Sequence, residues 1–106
     1  MVVEITPAQL QERIASGDRP VLLDVRRPEE LAICRIDGVV HIPLDELASR
    51  AHELDPEVEI VCICHHGMRS ASAAAFLESR DFGRMVNLTG GMEAWASQVD
   101  PSMARY

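Results

Sequence analysis

Short unbroken apolar runs alternate along this chain with longer stretches in which apolar residues recur every three or four positions. Val2-Val3-Glu4-Ile5 is the first short run and predicts a strand. Thr6-Pro7 then supplies a helix N-cap with proline at the first helical position, and Leu10, Ile14 and Ala15 give that helix one buried face. Gly17-Asp18-Arg19-Pro20 ends it. Val21-Leu22-Leu23-Asp24-Val25 is continuously apolar up to Asp24, the pattern of a strand covered on both faces in a parallel sheet. Pro28-Glu29-Glu30-Leu31-Ala32 opens a short helix whose acidic residues suit the positive end of the helix dipole.

Val39-Val40-His41-Ile42 is the next strand, stopped by Pro43, and Leu44 to Ala51 predicts a helix before an acidic loop from Glu53 to Glu59. Ile60-Val61-Cys62-Ile63 is a further buried strand, and Ser70 to Ser79 a strong helix former. Asp81-Phe82-Gly83-Arg84 turns the chain into a last strand, Met85-Val86-Asn87-Leu88. Thr89-Gly90-Gly91 leads into a helix carrying Met92 and Trp95. Strands alternating with helices imply right-handed crossovers. The expected fold is therefore α/β, with a mostly parallel sheet of about five strands and helices on both faces. In such sheets ligands bind beyond the carboxyl ends of the strands. Cys64, Asp24 and the Asn87–Gly91 turn all fall at that edge.

The chemistry concentrates in Cys64-His65-His66-Gly67-Met68-Arg69-Ser70. This passage puts a cysteine at the tip of a buried strand, with an arginine closing a six-residue loop at the start of a helix. Backbone N–H groups of such a loop, and the first unpaired N–H groups of the helix, converge on its centre. That environment favours a thiolate, and equally an anion bonded to it. Cys64 therefore reads as an activated nucleophile in an anion cradle. Asp24 and Ser70 read as supporting residues, Asp24 as a structural acceptor or an arginine's partner. Cys62, two residues earlier on the strand, reads as core. Zinc sites normally place two to four residues between paired cysteines, and consecutive ligands in Cys62-x-Cys64-His65-His66 cannot readily form a tetrahedron, so no metal is expected. Arg26 and Glu30 have the spacing of an (i, i+4) ion pair. The glycine pair 90–91 reads as a positive-φ turn beside the site and Trp95 as a core anchor.

Composition narrows the alternatives. With 106 residues the chain is one domain, and a net charge of −7 argues against binding nucleic acid or an anionic membrane surface. No apolar run approaches the ~20 residues of a membrane helix. No export signal is visible and the three cysteines are an odd number, so the thiols read as reduced and the location as cytoplasmic.

Four segments in order resemble the single-domain rhodanese-like sulfurtransferases. They are Leu22-Leu23-Asp24-Val25-Arg26-Arg27-Pro28-Glu29-Glu30, Ile36-Asp37-Gly38-Val39-Val40-His41-Ile42-Pro43-Leu44, the Cys64–Arg69 loop, and Asn87-Leu88-Thr89-Gly90-Gly91-Met92-Glu93-Ala94-Trp95. The resemblance implies one rhodanese-like domain over residues 1–106, needing no cofactor. Cys64 would be its catalytic residue, with His65, His66, Gly67, Met68 and Arg69 forming the substrate-binding loop. It implies a ping-pong reaction through a Cys64 persulfide. Small sulfur donors such as thiosulfate or a persulfide would load it, and cyanide, a thiol or a protein acceptor would unload it. Arg69 would hold the donor's sulfonate and stiffen the loop. Two positions depart from the family pattern. His65 stands where thiosulfate users often have arginine, and Cys34-Arg35 stands where Gly-His is usual. Cys34 is then either a packing residue or a second sulfur-handling thiol. A carrier module that delivers sulfur to a partner is the alternative, and a cysteine-dependent phosphatase or arsenate reductase is the other enzyme class to weigh.

Overall fold

The computed structural model describes residues 1–106. Strand β1 (Val3–Ile5) leads into helix α1 (Pro7–Ala15), whose start is fixed by a reciprocal cap. Gln9 N–H donates to Thr6 Oγ1 at 3.2 Å, and Thr6 N–H donates to Gln9 Oε1 at 2.9 Å. Next come β2 (Val21–Asp24), α2 (Pro28–Ile33) and the two-residue β3 (Val40–His41). The chain continues through α3 (Leu47–Arg50), β4 (Ile60–Ile63), α4 (Met68–Glu78), β5 (Met85–Leu88) and α5 (Gly91–Gln98).

The five strands lie in the order β1-β5-β4-β2-β3 and every pair is parallel, so the expected mostly parallel sheet is wholly so. The central strand β4 explains why its residues are apolar without interruption. Ile60, Cys62 and then Cys64 enter one packed cluster with Leu23, Val25, Leu47 and residues of α4, while Val61 and Ile63 enter another with Leu10, Met92 and Trp95. Alternate side chains thus serve opposite faces, and both faces are covered. Trp95, 5% exposed, is the core anchor expected of it.

Two expected elements differ. The stretch Leu44–Ala51 is not one helix: a 3₁₀ turn at Leu44–Glu46, the single turn α3, and a second 3₁₀ turn at Ala51–Glu53 follow one another. Leu44 and Leu47 stand three residues apart, which suits the tighter 3₁₀ period for pressing both onto the sheet. Helix α4 begins at Met68, two residues before the expected Ser70, because the chain reverses at Gly67 with φ +97°. Arg69 therefore lies in the first helical turn, not in the loop proper. No helix is long and apolar enough to cross a membrane.

Candidate active site

Register carries Cys64 to the carboxyl edge of the sheet. Asp24 sits beside Ile63 and Cys62 beside Asn87, and Val25 N–H donates to the Ile63 carbonyl at 3.0 Å. Cys64 is the next residue out from β4. The reversal at Gly67 folds the chain back so that Gly67 N–H and Ser70 N–H donate to Cys64 Sγ at 3.1 and 3.3 Å. Ser70 Oγ lies 3.2 Å from the same sulfur. The N–H groups of His65, His66, Met68 and Arg69 have no acceptor within the protein. The cysteine is 1% exposed, so its sulfur is enclosed where the loop begins.

Helix α5 holds the loop from outside. Met92 N–H donates to the Cys64 carbonyl at 2.8 Å and Glu93 N–H to the His65 carbonyl at 3.0 Å, so the unpaired N–H groups of a helix start are spent on fixing the loop. This approach requires glycine at position 91, whose φ is +59°. A Cβ there would lie 2.3 Å from the Cys64 carbonyl oxygen and 2.5 Å from that of His65.

Arg69 is engaged by Glu30. Its Nη1 and Nη2 donate to Glu30 Oε2 and Oε1 at 2.7 and 2.8 Å, a two-pronged pair joining α4 to α2. This pairing, with help from Arg27 N–H and against the cost of burial, holds the Glu30 carboxyl down at about 2. The clamp is therefore charged on both sides throughout the neutral and mildly acidic range. Tyr106 completes it: its hydroxyl donates to Glu30 Oε1 at 3.0 Å, accepts from Arg26 Nη1 at 2.9 Å, and its ring stacks on His65 with centroids 3.9 Å apart. Burial, with His66 beside it, pushes His65 below the usual imidazole range. An imidazolium at His65 thus needs a more acidic solution than an exposed histidine would.

The expected ion pair between Arg26 and Glu30 is not the one formed. Arg26 lies before α2 starts at Pro28, so the helical (i, i+4) geometry does not apply to it. Its guanidinium turns back onto Asp24, with Nη2 to Oδ2 at 2.8 Å and Nε to Oδ1 at 2.9 Å, both residues fully buried. Burial opposes the charge on Arg26, but the hydrogen bonds it donates to Asp24 and Tyr106 outweigh it and raise its pKa. Asp24 spends its oxygens on Arg26, including its backbone N–H at 3.1 Å, rather than accepting from the cysteine loop. His41 is partnered by the Arg26 carbonyl, with its Nε2 2.6 Å away. Cys62 is fully buried with its thiol pushed up to about 12 by burial, with Cys64 adding to the effect, which fits a core residue. Met68, by contrast, is 80% exposed at the outer lip.

Asn87 and Glu4 were not singled out by sequence for any role here, yet both reach the loop. Asn87 Nδ2 donates to the Gly67 carbonyl at 3.1 Å and to the Glu4 carboxylate at 3.1 and 3.2 Å, while Ser70 Oγ donates to Asn87 Oδ1 at 2.5 Å. The signal for Asn87 was its place at the start of the Asn87–Gly91 turn, on the sheet edge where a ligand site is expected. Nothing marked Glu4 or Tyr106.

Comparison with known proteins identifies the family. The model of the rhodanese-like domain matches residues 6–98. A sulfurtransferase of Allochromatium vinosum is 35% identical over 98% of this chain and 97% of its own length. A relative from Bacillus subtilis, YrkF, whose name describes a sulfur carrier protein, is 37% identical over 93% of this chain, which spans only 54% of it. Among solved structures, a rhodanese-like domain protein from Staphylococcus aureus superposes with a TM-score of 0.85 at 27% identity, covering 99% of both chains. The parallel five-stranded sheet, the matched segment and relatives named for sulfur transfer together place this chain in the rhodanese-like domain family.

Proposed function

We propose that the protein is a sulfurtransferase that carries sulfane sulfur as a persulfide on Cys64. The observation that carries this reading is a buried sulfur that accepts from two N–H groups of a loop whose other N–H groups have no acceptor within the protein. In the first half-reaction the Cys64 thiolate attacks the outer sulfur of a donor such as thiosulfate or a small persulfide. The donor's S–S bond breaks and its electron pair leaves with sulfite or the thiolate. In the second, an acceptor thiolate or cyanide attacks the new outer sulfur, and the pair from the broken bond returns to Cys64. The outer sulfur of the persulfide bears the charge, and the loop amides of His65, His66, Met68 and Arg69, without an acceptor in the protein, would be the fixed dipoles that receive it. Arg69, closed onto Glu30, sets the far wall of the loop. It can add its field to the site without reorganising.

The same loop is sized against phosphate chemistry. Only four residues separate Cys64 from Arg69, and a tetrahedral phosphoryl group would crowd the backbone that a single sulfur atom fits. We expect thiosulfate and cyanide to give thiocyanate and aryl phosphates to give no product. Aryl phosphate turnover abolished by Cys64→Ser would assign the site to a phosphatase instead. A protein acceptor is a second reading, supported by Met68, a large apolar side chain 80% exposed at the lip of the site where a partner's cysteine would have to approach.

A further inference from the structure

The orientation of the Asn87 amide follows from its neighbours. Both the Glu4 carboxylate and the Gly67 carbonyl can only accept, and Asn87 Nδ2 faces both, so Oδ1 must face Ser70. Oδ1 also only accepts, so the single hydroxyl hydrogen of Ser70 is given to Asn87 at 2.5 Å. Ser70 and Asn87 are 0% and 3% exposed, and water has little access to offer an alternative partner. What remains on Ser70 Oγ, 3.2 Å from Cys64 Sγ, is lone pairs.

We propose that Ser70 is a positioning residue that accepts a hydrogen bond from the Cys64 thiol, and that Asn87, anchored by Glu4, holds it in that role. A thiolate at Cys64 meets two amide donors and, at Ser70 Oγ, an oxygen lone pair. To turn its hydrogen toward the sulfur, Ser70 must abandon Asn87 Oδ1 in a buried site, which is costly. A persulfide escapes this conflict, because Sγ then carries neither the hydrogen nor the full charge, which has moved to the outer sulfur. The Glu4–Asn87–Ser70 chain thus disfavours the free thiolate against both the thiol, which donates to Ser70, and the persulfide, which meets no such conflict. This consequence rests on the persulfide reading above; the hydrogen-bond polarity does not.

The sign of the effect of substitution tests it. Thiolate absorbance in the ultraviolet and the rate of Cys64 alkylation by iodoacetamide are followed against pH, in a Cys34→Ser background. The charged and titratable groups around the sulfur are Cys62 on β4, His65 and His66 in the loop, Arg69 with Glu30, Glu93 on α5 and Glu4 on β1, and all are retained in each variant. Ser70→Ala removes the opposed lone pair and Asn87→Leu frees the hydroxyl to donate to sulfur. Both should raise the thiolate fraction and alkylation rate at neutral pH by about tenfold. Asn87→Asp keeps an acceptor on Ser70 and adds negative charge, so its profile should move the opposite way. If Ser70→Ala and Asn87→Leu lower the thiolate fraction or leave it unchanged, Ser70 is a donor and the proposal is wrong. If all three variants move together, the substitutions merely open the site, and it is again wrong. Neither readout requires sulfur transfer, so failure to load a persulfide would count against the proposed function and leave this polarity to be judged separately.

Discussion

Gly91→Ala should abolish useful sulfur transfer while leaving most of the sheet intact. The added methyl would sit 2.3 Å from the Cys64 carbonyl oxygen and 2.5 Å from the His65 carbonyl oxygen, and both atoms belong to backbone that cannot rotate away. Either α5 retreats or the cysteine loop does. Retreat breaks the Met92 and Glu93 N–H bonds that hold the loop, and with them the convergence of amides on Sγ. The φ of +59° at position 91 adds strain for any residue with a Cβ. Overpacking of this kind typically costs ~1–3 kcal/mol in stability, and misplacing reacting groups by about an ångström can cost on the order of a hundredfold in rate. Urea denaturation beside a thiosulfate–cyanide assay would separate the two losses. An active Gly91→Ala protein, within a factor of two of the parent, would mean that α5 does not set the loop.

Asp24→Ala should be the most destabilising single change outside the packed apolar clusters. It leaves the Arg26 guanidinium fully buried with its main counter-charge gone, and breaking such a pair costs about 3–5 kcal/mol. Arg26 would keep its contacts with the Cys34 carbonyl at 2.8 Å and the Tyr106 hydroxyl, neither of which bears charge. Asp24→Asn retains an acceptor oxygen and should lose less. Because Arg26 also steadies Tyr106, and Tyr106 steadies Glu30 and His65, a protein that survives the substitution should show a looser mouth as well as a lower urea midpoint. A loss below about 1 kcal/mol would show that this buried pair contributes little.

The strands and the cysteine loop were legible in sequence for a physical reason. In a parallel sheet covered on both faces the central strands are mostly apolar, so Ile60–Ile63 and Val21–Leu23 stand out without any periodicity, and Cys64 is the first residue past one of them. The glycine pair was legible too, as a turn, though not as the close approach of α5 to the loop carbonyls. The partners of the loop were not legible. Glu30 meets Arg69 across 39 residues, Tyr106 meets Glu30 across 76, and Asn87 meets Ser70 across 17. Such contacts are set by which helix lies on which face of the sheet, not by local spacing. Arg26 illustrates the point: its spacing to Glu30 suggested a helical pair, but it precedes the helix, and the buried carboxylate two residues back claims it.

The central claim is tested most directly by the mass of the protein after brief incubation with thiosulfate and removal of excess donor. A gain of one sulfur, about 32 Da, is expected, mapped by peptide analysis to Cys64, lost on addition of cyanide, and absent from Cys64→Ala. The same gain in Cys64→Ala, or its location on Cys34 or Cys62, would contradict the account.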